Sequence, residues 1–167
     1  MNRLASTLLP LCAALLLGAA AASAAPLQDF DGKPRELAEF TGQGQWTVVK
    51  IWASYCAVCN NEAHAYVAFH DAHKARDARM LGISLDGADN IADAQGFIER
   101  HQLNYPNLLT DPDTGNLLYM MLTGKPLTGT PAFLVYAPDG TLLAEQVGAV
   151  PVALLEQFMA DNGGASQ

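Results

Sequence analysis

Apolar positions along the chain alternate between runs that fit strands and spacings that fit helices. Leu27 to Phe40 contains Asp31-Gly32, a tight-turn signal, with Pro34 nearby, and reads as a short hairpin or extended lead-in. Thr47-Val48-Val49-Lys50-Ile51-Trp52 is a β-branched run and predicts a central strand. From Cys56 the spacing turns helical, with Val58, Ala63, Tyr66, Val67 and Phe69 apolar and charges accumulating toward Arg79. Met80 to Leu85 predicts a second buried strand. Asp89 to His101 predicts a helix with Ile91, Ala94, Phe97 and Ile98 on one face. Thr114 to Leu122 predicts a short helix opened and capped by Asp111-Pro112-Asp113. Ala132–Tyr136 and Thr141–Ala144 flank Pro138-Asp139-Gly140 and predict an antiparallel hairpin. A last amphipathic helix starts at Pro151 and ends at Gly163-Gly164. The alternation predicts one α/β domain, without repeats or a low-complexity linker.

The first two dozen residues stand apart from this pattern. Arg3 precedes an apolar core from Leu8 to Leu17, and Ala22-Ser23-Ala24 offers small residues where a signal peptidase reads them. Cleavage after Ala24 avoids placing Pro26 next to the cut, so residues 1–24 read as an export signal and 25–167 as the mature domain. The apolar run is short for a membrane span, although an uncleaved anchor is the alternative. Cys12 follows Leu11, which does not fit a lipoprotein anchor. The chain of 167 residues carries 17 acids against 9 bases, a formal charge of −8. The bases form no run, which argues against a nucleic-acid partner.

Removing the signal leaves two cysteines, Cys56 and Cys59. A disulfide closing so small a loop constrains the unfolded chain little, which disfavours a purely structural staple. A structural zinc site needs four ligands, and no second Cys pair exists. Haem attachment needs His after the second Cys, where Asn60 stands. A reactive dithiol remains. At the junction of a strand and a helix, Cys56 sits near the positive end of the helix dipole and near unpaired N–H groups, and both favour thiolate. Cys59 lies one helical turn further, placed to attack a mixed disulfide formed at Cys56. Thr130-Pro131 stands just before a β-branched strand. A proline there removes a ladder donor and suits a cis peptide, while an ordinary trans proline fits as well.

Ile51-Trp52-Ala53-Ser54-Tyr55-Cys56-Ala57-Val58-Cys59 and Gly129-Thr130-Pro131-Ala132-Phe133-Leu134-Val135 resemble the signature stretches of the thioredoxin superfamily. The likeness is nearest to its exported TlpA/ResA-like branch. Asp29-Phe30-Asp31-Gly32-Lys33 and Asp139-Gly140 extend it over nearly all of the mature chain. The resemblance implies a central mixed sheet flanked by helices and an N-terminal hairpin. It also implies an inserted strand and helix between the CxxC helix and the cis-proline strand. Pro131 would be cis and face the dithiol, and Glu62 matches an acid typical of the branch. Val58 replaces the usual proline between the cysteines, Tyr55 replaces a second tryptophan, and Lys50 stands where thioredoxins carry a buried acid.

The expected function is thiol–disulfide exchange on proteins in the bacterial periplasm, by a monomer without a diffusible cofactor or a bound metal. Cys56 attacks, Cys59 resolves, and Thr130 with Pro131 controls the approach of substrate. Trp52 serves both the core and the wall of the dithiol cleft. The resemblance favours the reducing direction, on apocytochrome or copper-site cysteines, recharged by a membrane electron-transfer partner. The alternatives are a disulfide-forming oxidant of the DsbA type and a Cu(I) chaperone using the same two sulfurs.

Lys50 shares a strand face with Val48 and Trp52, the face toward the Cys-bearing helix. It either reaches solvent or meets Glu62 beneath Cys59 as a proton-relaying pair, because a lone buried ammonium is costly. His64, His70 and His73 fall on a polar helical stretch, and neither they nor His101 is assigned a catalytic duty. Met120-Met121 reads as packing, and Tyr105-Pro106 as a loop without a role.

Overall fold

The computed structural model describes residues 27–163, so the signal-segment expectation for residues 1–24 lies outside the described residues. Two short strands, β1 (Leu27–Gln28) and β2 (Pro34–Arg35), form the N-terminal hairpin. Then follow β3 (Trp46–Trp52), α1 (Ala57–His73), β4 (Ala78–Ser84), α2 (Ile91–His101), β5 (Asn107–Leu109) and α3 (Pro112–Thr123). A terminal hairpin of β6 (Ala132–Tyr136) and β7 (Leu142–Val147) leads into α4 (Val152–Asn162). The strands form one mixed seven-stranded sheet in the order β2-β1-β5-β4-β3-β6-β7. β3 runs parallel to β4 and antiparallel to β6, so it is paired on both edges.

All seven residues of β3 are buried, which is why its apolar positions do not alternate, with Thr47 and Lys50 as its polar members. Its two faces feed different clusters. Val48 packs with Tyr66 and Phe69 of α1, whereas Val49 and Ile51 pack with Leu81, Ile83 and Leu134 on the opposite face. Trp52, at the strand's end, joins a third cluster with Cys56, Cys59, Ala63 and Phe97. The core therefore meets the cysteines where β3 hands the chain to α1.

Several boundaries move from the sequence reading. β4 starts at Ala78 rather than Met80, because α1 ends at His73 and only a short turn separates them. α3 starts at Pro112, where proline suits the first helical turn, and Asp111 caps it by accepting from the N–H groups of Asp113 and Thr114. Periodicity does not locate β5, which lies in the stretch where the family resemblance implies an inserted strand. It has three residues, too few for a periodic signal, and its place comes from pairing beside β4. Tyr105 and Pro106 have structural work after all: Tyr105 is buried, and the Pro106 carbonyl accepts from Gly82 N–H at 2.9 Å.

His70 and His73, on a polar stretch of sequence, are both buried. His70 Nδ1 accepts the backbone N–H of Met80 at 3.2 Å and so ties α1 to β4. His73 lies between Asp77 (2.8 Å) and Glu156 (3.2 Å) and links α1 to α4. Polar spacing along α1 conceals these roles because each ring is used between elements.

Gly82 of β4 is required by packing. A side chain there would collide with Asn107 Oδ1 and with Trp52 Nε1, which donates to that same Oδ1 at 3.1 Å. Gly82→Ala is expected to cost about 1–3 kcal/mol by overpacking. Chemical denaturation of the variant checks this, and an unchanged midpoint would remove the constraint.

Candidate functional site

The chain leaves β3 at Trp52, turns through Ala53-Ser54-Tyr55 and enters α1 with Cys56 as its N-cap. The turn closes by Cys56 N–H donating to the Ala53 carbonyl at 3.1 Å. Cys56 Sγ accepts the Cys59 N–H at 3.1 Å, a donor that the first helical turn leaves unpaired. The sulfur therefore occupies the place a capping oxygen usually takes, where negative charge is stabilised. Cys56 and Cys59 form a disulfide with Cα atoms 5.2 Å apart. Cys56 is 8% exposed and Cys59 wholly buried, so the pair is approached from one side only. Beside it, Tyr55 is 77% exposed and Val58 is also exposed, making an apolar rim.

Across from α1, the Thr130–Pro131 peptide is cis, and the Thr130 carbonyl oxygen lies 3.4 Å from Cys56 Sγ. Pro131 is buried, and its own carbonyl accepts from Gly148 N–H at 2.8 Å, which anchors the loop to the end of β7. Thr130 thus stands next to Cys56 Sγ, with the cis Pro131 following it in the chain. Trp52 backs the site. Its ring stacks on Phe97 at 4.3 Å between centroids and its indole N–H is satisfied by Asn107.

Lys50 does not reach solvent. It is 2% exposed, and its ammonium lies 3.0 Å from Glu62 Oε1. The contact is an ion pair rather than an aligned hydrogen bond. The ammonium also sits 4.3 Å above the Tyr66 ring, a cation–π contact. Burial lowers the Lys50 pKa from its ordinary value, and Glu62 opposes that shift without overcoming it. Burial also raises the phenols of Tyr66 and Tyr105 far above their ordinary value. Both then act as neutral dipoles, and the Tyr66 hydroxyl donates to the Val150 carbonyl.

Asp86, Asn60 and His101 take part in the site, although the sequence assigns them no role there. Asp86, buried just after β4, accepts from Ser54 N–H, from Ser54 Oγ at 2.6 Å and from Ser84 Oγ at 2.6 Å. It pins the turn before Cys56 to the neighbouring strand's end. Asn60 donates to the carbonyls of Ser54 and Cys56 and accepts from His101. Asp86 was findable: it follows the second strand at the sheet edge where Ser54 follows the first. Asn60 and His101 have no such signal, being 41 residues apart. A polar cleft is lined by Ser54, Tyr55, Asp86, Asn90, Asp93 and Arg100, the first two from the turn that precedes Cys56. An apolar groove between β6, β7 and α4, lined by Phe133, Val135, Leu154 and Phe158 among others, contains neither cysteine. Among the described residues no group of three or more His, Cys, Asp or Glu could hold a metal ion.

A mixed sheet, a CxxC disulfide at a helix start and a facing cis-proline define a thioredoxin-superfamily protein with a redox-type cysteine pair. The chain belongs to the AhpC/TSA family, whose pattern matches residues 18–144. It is similar to sporulation thiol-disulfide oxidoreductase A of Bacillus subtilis (strain 168), 28% identical over 68 residues. That match covers 40% of this chain and 41% of the relative's length.

Solved structures agree on the fold. The thioredoxin domain of a thiol-disulfide oxidoreductase from Bacteroides vulgatus superposes with a TM-score of 0.64 at 21% identity, over 81% of this chain and 95% of that one. A thioredoxin-related protein from Neisseria meningitidis serogroup B gives 0.68 at 21% identity, over 83% and 98%. A secreted Mycobacterium tuberculosis disulfide oxidoreductase homologous to DsbE of E. coli gives 0.59 at 23% identity, over 80% and 92%. No helix among the described residues is long and apolar enough to cross a membrane.

Proposed function

We propose that this protein is an exported thiol–disulfide oxidoreductase that reduces disulfides in other proteins. The observation that carries this is the disulfide itself, with one slightly exposed sulfur on a helix N-cap and its partner buried behind it. In the reduced state Cys56 thiolate attacks a substrate sulfur, forming a mixed disulfide and releasing one substrate thiolate. Cys59, once deprotonated, attacks Cys56 Sγ, releases the second substrate thiol and regenerates the Cys56–Cys59 bond. Two electrons pass to the substrate, so a dithiol donor must restore the protein.

Export places the protein in the periplasm as a soluble monomer, and a membrane electron-transfer protein fits the donor's role there. The relatives named for thiol–disulfide chemistry, one of them a secreted homologue of DsbE, support this reading. Cytochrome c maturation or copper-site assembly fits the reducing direction. Thr130 and Pro131 would guide the substrate segment, because the Thr130 carbonyl borders Cys56 Sγ.

Purified protein is expected to reduce insulin disulfides with added dithiol, and Cys56→Ser to bring the rate to background. An inactive wild type that binds one equivalent of copper tightly would replace this reading with the chaperone. The reduction potential decides direction: about −200 to −270 mV supports a reductant, and about −120 mV an oxidant.

A further inference from the structure

Asn60 lies in the first turn of α1, directly after Cys59. A carboxamide brings two donors on nitrogen and an acceptor on oxygen. Asn60 Nδ2 is 3.0 Å from the Ser54 carbonyl oxygen and 2.9 Å from that of Cys56. Neither carbonyl can donate, so the NH2 group must face them both. The orientation leaves Oδ1 toward His101 Nε2 at 2.9 Å, and that ring nitrogen must then carry its proton. His101 is the last residue of α2, and its ring packs on Phe97 at 4.5 Å, the ring that stacks on Trp52. Its Nδ1 is buried without a hydrogen-bond partner, which suits a bare lone pair and disfavours a second N–H. Burial, together with His64, Arg100 and Lys50, lowers the His101 pKa and keeps the ring neutral.

We infer that Asn60 and His101 are a positioning pair for Cys56: His101 locks the Asn60 amide, and the amide clamps the Ser54–Cys56 turn that keeps Sγ on the Cys59 N–H. The inference deepens the proposed thiol–disulfide activity and rests on it. The clamp fixes the sulfur where the helix start stabilises its charge, so loosening it weakens thiolate stabilisation. Ser54 is already held by Asp86 from the strand side, whereas the Asn60 side chain joins the carbonyls of Ser54 and Cys56 to α2. Neither residue touches substrate. Both act through the cap.

The test reads the reduced protein's own sulfur. Iodoacetamide alkylation against pH gives the Cys56 pKa, and equilibration with glutathione gives the dithiol–disulfide balance. Asn60→Ala is expected to raise the pKa by about half a unit, or about threefold less thiolate at a given pH, as loss of a net hydrogen bond implies. The glutathione equilibrium should move toward the protein disulfide by a similar factor. His101→Leu should shift both in the same direction, and His101→Gln, which restores a donor to Asn60 Oδ1, should return them to wild type. The double variant Asn60→Ala with His101→Leu should match Asn60→Ala alone, because the two act as one unit.

Unchanged values in His101→Leu, or equal shifts in His101→Leu and His101→Gln, would overturn the pair. If Asn60→Ala does not fold, the two His101 variants still decide, since they remove no contact to the turn itself. Insulin reduction measured alongside separates the two readings. An active wild type without these shifts overturns the pair alone, and an inactive wild type with them overturns the oxidoreductase.

Discussion

Cys59→Ser is expected to stop turnover while leaving the first attack intact, so that partner proteins accumulate on Cys56 as mixed disulfides. The reason is the asymmetry of the pair. Cys56 has access to solvent and the stabilising Cys59 N–H, whereas Cys59 is wholly buried in the core behind it, bonded to the Cys56 sulfur. Without the second sulfur the mixed disulfide has no intramolecular exit, and serine cannot take its place as a nucleophile toward sulfur. Incubation with oxidised partners, followed by non-reducing electrophoresis, should show adducts that dithiothreitol releases. Cys56→Ser should show none. Adducts forming on Cys56→Ser and absent from Cys59→Ser would reverse the assigned roles.

The second large effect concerns Lys50 and Glu62. Lys50→Met removes the buried cation that pairs with Glu62 of the Cys-bearing helix and is expected to raise the cysteine pKa and make the protein more reducing. Glu62→Gln leaves the ammonium unopposed and is expected to lower the pKa and make the protein more oxidising. One pKa unit corresponds to about 1.4 kcal/mol, or about 30 mV for a two-electron couple. Lys50→Met should also cost about 3 kcal/mol of stability, because it strands a mostly buried carboxylate. Titrating both variants checks the pair. Shifts of the same sign, or none, would rule out its control of the sulfurs and the relay of the Cys59 proton through Glu62.

Much of the site is legible in local sequence because its parts are consecutive. A β-branched run, then CxxC, then helical spacing places a sulfur on a helix start without any tertiary information. The same holds for Asp111-Pro112, which caps α3 as its residue types require. The meeting of Lys50 and Glu62 was one of two alternatives, and strand parity decided only which face Lys50 shares. Parity cannot say whether a long side chain ends in solvent or under a helix, and the Tyr66 ring against the ammonium, with Glu62 beside it, makes that difference. The burial of His70 and His73 is hidden from the sequence for a related reason. Polar residues on a helix look solvated until the neighbouring strand and α4 supply their partners. β5 and the Asn60–His101 contact depend on elements far apart in the chain, and no local pattern encodes them.

The recessed position of the attacking sulfur restricts which disulfides the proposed activity can serve. With only 8% of Cys56 reachable and the Thr130 carbonyl beside it, the proposed activity is expected to favour a partner that brings its sulfur in on a narrow, extended stretch of backbone. A bond locked inside a finished globule offers no such stretch. Chains still awaiting their fold, or hinges that stand clear of one, do. The proposed activity is therefore expected to sort partners by how accessible their cross-links are rather than by a recognition sequence, and to act faster on an unfolded disulfide substrate than on its folded form.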